Sequence, residues 1–133
     1  MSDIAITATA FIPSANATVI QGIAGATLTR GQPVYLDTVA GTYKLYVATS
    51  VNTDALAGLA CEDVAAGQPM LIVVKDPALV LGGTLVIGDT VWTSLSGLTK
   101  TFADLVSTWR IWTAGVATSS TVMNFSPVKG GVK

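Results

Sequence analysis

The carboxylates are the residues of this chain with the clearest capacity for acid–base chemistry, and their spacing works against it. Glu62 and Asp63 are neighbours, so on a strand they point to opposite faces and do not share one site. Asp37, Asp54, Asp76, Asp89 and Asp104 are scattered, with Asp37 and Asp89 at expected turns, where a solvated carboxylate is the ordinary occupant. Histidine is absent, which removes the commonest general base and metal ligand and makes a Ser-His-Asp or Cys-His arrangement impossible. Zinc would need a cluster of Cys and His that the chain does not have. The one cysteine, Cys61, follows the apolar Ala57-Gly58-Leu59-Ala60 and is expected to be a buried small hydrophobe; alone, it makes no internal disulfide. Leu81-Gly82-Gly83-Thr84 and Gly130-Gly131 lack the Gly-Lys-Ser/Thr ending of a phosphate loop and read as turns. The expectation is a protein that is not an enzyme and takes no metal or cofactor.

Recognition is the remaining chemistry, and the aromatics are its candidates. In Thr108-Trp109-Arg110-Ile111-Trp112-Thr113, strand alternation puts Trp109 and Ile111 on one side and Arg110 and Trp112 on the other. One Trp then shares a face with a cation, which suits an interface anchor or a carbohydrate platform, while the plainer reading packs one Trp in the core. Tyr35 and Trp92 read as a matched pair of packing residues. The candidate interface residues are Ile4, Ile6, Phe11, Trp109, Arg110 and Trp112.

Composition narrows the partner. Half of the 133 residues are hydrophobic and 11% are charged, against roughly 25% charged in ordinary soluble domains. Seven cations against eight acids give a net charge of −1, which supplies no basic face for nucleic acid. Mean hydropathy is +0.61. The longest apolar stretches, Met70 to Val74 and Ala78 to Ile87, are short or interrupted by Gly82 and Gly83, whereas a helical span takes about 20 apolar residues. Neither a membrane span nor a signal peptide is expected. A lightly charged surface near neutrality favours association with other chains.

The elements that must position these residues are strands. Short β-branched and aromatic runs bounded by glycine turns read as all-β. Strands are expected at 17–21, 33–37, 43–48, 56–62 and 69–75, then at 84–87, 90–94, 98–102, 109–117 and 121–125. A short helical turn at 101–107 is the one possible exception. Thr27-Leu28-x-x-Gly31-x-x-Val34-Tyr35 returns as Thr84-Leu85-x-x-Gly88-x-x-Val91-Trp92, and Ala57-Gly58-Leu59-Ala60 returns as Ala114-Gly115-Val116-Ala117, both at an offset of 57 residues. One register shared by two separated matches points to a duplicated unit. The expected architecture is a compact barrel or sandwich of short antiparallel strands, one domain over 26–128 built from repeats at about 27–83 and 84–128. Residues 1–25 are expected to form an edge strand of the same sheet or an arm onto a neighbouring subunit's sheet. Residues 129–133 read as a flexible tail.

The phrase Gly31-x-x-Val34-Tyr35, a variable loop, Ala57-Gly58-Leu59-Ala60, then Ala65-Ala66-Gly67-Gln68-Pro69-Met70 resembles the small capsid decoration, or cement, proteins of tailed bacteriophages. The resemblance covers Thr27 to Val74 well and Thr84 to Phe125 more loosely, since Thr118-Ser119-Ser120-Thr121 stands in place of the Ala-Ala-Gly turn. It implies a non-enzymatic virion protein, made in the host cytoplasm, that sits on the outer capsid surface. There it would stabilise the head by bridging major capsid subunits, commonly as a homotrimer. The alternatives from the residues are a carbohydrate-binding β module and another phage structural part, from the tail or a head fibre.

Overall fold

The computed structural model describes residues 4, 6, 11–47, 56–93, 97–100, 105 and 110–132. They form an all-β chain: β1 (Thr18–Ile23), β2 (Pro33–Asp37), β3 (Thr42–Leu45), β4 (Leu56–Ala60), β5 (Pro69–Val80), β6 (Thr90–Thr93), β7 (Leu98–Thr99), β8 (Arg110–Ala117) and β9 (Val122–Val132). The strands make one nine-stranded antiparallel sheet in the order β3-β2-β4-β5-β9-β8-β6-β7, with β1 also on β5, curled into a half-barrel. The expected class, all-β in a barrel-like arrangement of short strands, is what the chain adopts.

Strand β5 joins two curled sheets. Its first part, Pro69 to Lys75, pairs with β1 and β4. Its last part, Asp76 to Val80, pairs with β9 across a register shift that contains Pro77. Proline has no N–H to give a ladder, and a bulge is one of the few places in a sheet that tolerates it. On the first side, Ala24 bridges Tyr43 and Gly25 N–H donates to Tyr43 O at 2.7 Å, so the chain leaving β1 reaches β3 and the strands roll round a core of Leu28, Val34, Val64, Met70 and Ile72. On the second side, β9, β8, β6 and β7 curl round Leu85, Val91, Leu98, Ala114, Met123 and Phe125.

The two sides share their local geometry. β2 pairs with β4 as Pro33–Leu59, Val34–Gly58 and Tyr35–Leu56, with a bulge after Val34. β6 pairs with β8 as Thr90–Val116, Val91–Gly115 and Trp92–Thr113, with a bulge after Val91. Every one of these numbers differs by 57. The strand entries match too: Gly31 N–H donates to Ala60 O at 2.8 Å and Gly88 N–H to Ala117 O at 2.9 Å. In the turns before them, Gln32 Oε1 accepts from Thr29 N–H at 2.8 Å and Asp89 Oδ2 from Val86 N–H at 2.9 Å. Gly31 and Gly88 have φ of +82° and +91°, values that glycine adopts without strain.

Three expectations differ from the structure. Residues 84–87 are not a strand: the Val86 N–H turns back onto the Asp89 carboxylate instead of joining a ladder. β5 runs past the expected end at Lys75 because the bulge carries it through Pro77. The segment 129–133, expected as a tail, continues β9 to Val132, since β8 offers a partner at Trp112–Lys129, Ile111–Gly131 and Arg110–Val132. The helical turn expected at 101–107 lies outside the described residues, apart from the buried Leu105.

Gly58 and Gly115 are where the central strands come closest. A Cβ on Gly58 would lie 2.2 Å from Val73 O, and one on Gly115 would lie 1.9 Å from Asn124 O. Gly58→Ala is expected to lower stability by about 1–3 kcal/mol through this overlap, read as an earlier midpoint in urea unfolding. An unchanged midpoint would contradict the close approach.

Candidate functional site

The described residues of the N-terminal segment are held against the domain at several points. Ile4 N–H donates to Leu98 O at 2.7 Å, and Ile12 exchanges both backbone bonds with Val80 at 2.9 and 3.1 Å. The segment therefore touches β7 and the end of β5, the two ends of the second curled sheet. Between those contacts Phe11 is 2% exposed in the main core, and Ile4 and Ile6 pack against the same core. Ile6 and Phe11 also lie over Gly31, where a Cβ would meet their side chains at 3.0 to 3.3 Å. The sequence analysis weighed Ile4, Ile6 and Phe11 as interface residues; the structure places Phe11 inside the chain's own core, with the two isoleucines half-buried.

Asp76 clips this segment in place. It has no solvent exposure, and its carboxylate accepts from Ser14 N–H at 2.7 Å, from the Ser14 hydroxyl and from Ala78 N–H at 3.0 Å. A buried carboxylate is tolerated when it is satisfied in this way. Sequence reasoning grouped Asp76 with the solvated turn acids. The signal that separates it is Lys75-Asp76-Pro77 inside an apolar run, which reads as a bulge with a polar group turned inward.

The other carboxylates serve loops. Glu62 accepts from Leu71 N–H at 3.2 Å and Asp63 from Arg30 N–H at 2.9 Å. Asp37 accepts from Val39 and Ala40 N–H and pairs with Lys44 at 2.7 Å. The Lys44 hydrogen bond, helped by the two backbone donors, holds the Asp37 carboxyl below its ordinary value. Its contribution to the β2–β3 hairpin is therefore present above the ordinary carboxylate range and lost as pH falls through the lowered value. Among the described residues no group of three or more His, Cys, Asp or Glu side chains is placed to hold a metal.

Cys61 is half-buried against the main core. Burial pushes its thiol up to about 11, the Glu62 and Asp76 charges add to the rise, and a hydrogen bond at the Val73 backbone offsets part of it. At neutral pH it stays protonated, and a neutral thiol is a poor nucleophile.

Trp112 belongs to a third apolar cluster, in which Tyr46, Leu105 and Ile111 are buried and Leu56, Trp92 and Trp112 pack against them. Buried Thr93 fixes the Trp112 backbone: its hydroxyl accepts from Trp112 N–H at 2.9 Å and lies 3.5 Å from Trp112 O. The cluster brings Trp92 and Trp112 to one place, a packing role for Trp92 of the kind expected. Trp109 lies outside the described residues. Arg110 is placed by its backbone alone, opposite Val132 at the far end of the β8–β9 ribbon.

The chain matches no protein-family model, no curated protein and no solved structure.

Two measurements check this anatomy. Asp76→Asn is expected to cost about 1.5–3 kcal/mol by breaking charge-assisted hydrogen bonds, and Phe11→Ala about 3–5 kcal/mol by leaving a cavity. Both are read by denaturant unfolding, and wild-type stability in both variants would contradict a docked N-terminal segment. Cys61 is expected to resist an aromatic disulfide reagent at pH 8 in the native state and to react promptly in urea. Fast native reaction would contradict its burial.

Proposed function

We propose that this chain is a structural virion protein that binds the outer surface of a phage capsid and bridges neighbouring major capsid subunits. The observation that carries the reading is the character of its outer surface. Val19, Ile23 and Leu71 on β1 and β5, and Val86, Ile87 and Val116 on the second side, are exposed aliphatics on a chain with 11% charged residues. Such a surface suits repeated contacts with other protein chains, and a symmetric shell multiplies each modest contact. The motif shared with decoration proteins adds to this, because its residues build the strand entries and close strand approaches that support the surface. The partners in this reading are the major capsid protein and further copies of the chain, as a trimer; nucleic acid and membrane have no part in it.

The attachment site is better sought on these exposed aliphatics than by removing the N-terminus. Deleting residues 1–12 takes Phe11 out of the core as well, so loss of attachment would not separate docking from unfolding.

Sedimentation of the native source lysate through a density gradient tests the proposal. The protein is expected to co-migrate with DNA-filled particles and to be stripped from them by mild chaotrope with the particles left intact. Migration solely as a free monomer or small oligomer would overturn it.

A further inference from the structure

The offset of 57 gives the molecule an internal comparison, and one face differs across it. Outside the first curled sheet, Gly31 and Leu59 are covered: Ile6 and Phe11 lie over Gly31, and Leu59 is fully buried in the cluster that contains Phe11. The equivalent residues of the second side are Gly88 and Val116. Their backbone has the same register, the same strand-entry hydrogen bonds and nearly the same φ. Yet among the described residues nothing lies within 4 Å of a Cβ built on Gly88, and Val116 is 44% exposed.

The neighbouring side chains change in the same sense. Thr29 and Arg30 of the first side are replaced by Val86 and Ile87, which are 61% and 73% exposed. Two adjacent aliphatics in a turn, with a third on the strand beside them, form an apolar centre. Its charged neighbours are already engaged: Asp89 accepts from Val86 N–H and lies 4.0 Å from Lys100 Nζ. Thr90 and Asn124, the cross-strand partners of Val116, add uncharged polar groups at the edge. An apolar centre with a polar, charge-neutral rim is the anatomy of a protein–protein contact, and its charge balance selects an uncharged occupant.

We infer that the face formed by Val86, Ile87, Gly88 and Val116 is a docking site for an apolar peptide segment of a partner protein, of the same chemistry as the Ile6–Phe11 segment that covers its counterpart. The chain's own segment already lies over Gly31 and cannot cover both faces at once. The inference rests on the internal comparison and stands whether or not the partner is a capsid protein.

A synthetic peptide of residues 1–14 is the probe, added to the full-length, isotope-labelled protein. Saturable binding is expected, with amide shifts centred on Gly88, Thr90 and Val116. Val116→Ser and Ile87→Ser are each expected to weaken binding by about tenfold. Both replace exposed side chains, and unchanged unfolding midpoints establish that the variants remain folded. Val39→Ser, at the exposed hairpin tip, is the control that leaves binding unchanged. Absence of saturable binding would overturn the inference, as would shifts centred on Gly31 and Leu59, which signal exchange with the chain's own segment. Concentration-dependent self-association abolished by the same two substitutions would also overturn it, because the occupant would then be a second copy.

Discussion

Asp76 accepts three hydrogen bonds in the middle of the longest strand, at the place where that strand leaves one sheet for the other. On its N-terminal side β5 is laddered to β1 and β4; on its C-terminal side it is laddered to β9. The bulge at Pro77 turns the strand, and the buried carboxylate draws the turn and the Ser14 backbone together. With the segment tied there, Phe11 reaches the main core and Ile4 reaches β7. Loss of the Asp76 contacts would loosen the joint between the sheets and the segment that lies across them. In a chain this small the core is limited, so one shared strand and one wedge residue decide whether it behaves as a single cooperative body.

The parts of the fold legible in the sequence are those fixed by short-range chemistry. The entries to β2 and β6 could be read because a glycine with left-handed φ precedes a β-branched residue and an aromatic. The Ala-Gly-ϕ-Ala strands, with ϕ an apolar residue, could be read because their small residues allow a neighbouring backbone to approach, as at Gly58 and Val73. The offset of 57 reappears in the registers of β2–β4 and β6–β8, down to the position of the bulge. What was not legible depends on partners distant in sequence. Pro77, Pro127 and the Gly130-Gly131 pair look like strand breakers, yet β9 and β8 supply ladders that carry the strands through them. Residues 84–87 have strand-forming composition, but the Asp89 carboxylate three residues on captures their backbone.

The candidate surface was legible only in part. Low charge and high hydropathy indicate that some apolar surface meets other chains, but not which surface. The N-terminal isoleucines and Phe11 carried the most obvious apolar pattern, and in the structure they face inward because Gly31 leaves room for them. The face that remains bare, around Val86, Ile87 and Val116, contains no aromatic and no motif. It becomes visible only when each residue is set beside its counterpart 57 positions earlier. Asp76 was obscured for the same reason: its partner Ser14 lies 62 residues away.

Native-state amide exchange along β5 tests the central claim, that one shared strand couples both sheets into one cooperative unit. The account predicts that amides from Met70 to Val74 and those at Leu79 and Val80 exchange only through global opening, with the same opening free energy and the same denaturant dependence. Exchange of the Met70–Val74 amides through a separate, less costly opening while Leu79 stays protected would contradict it, because the sheets would then be two bodies joined by a strand that couples neither to the other.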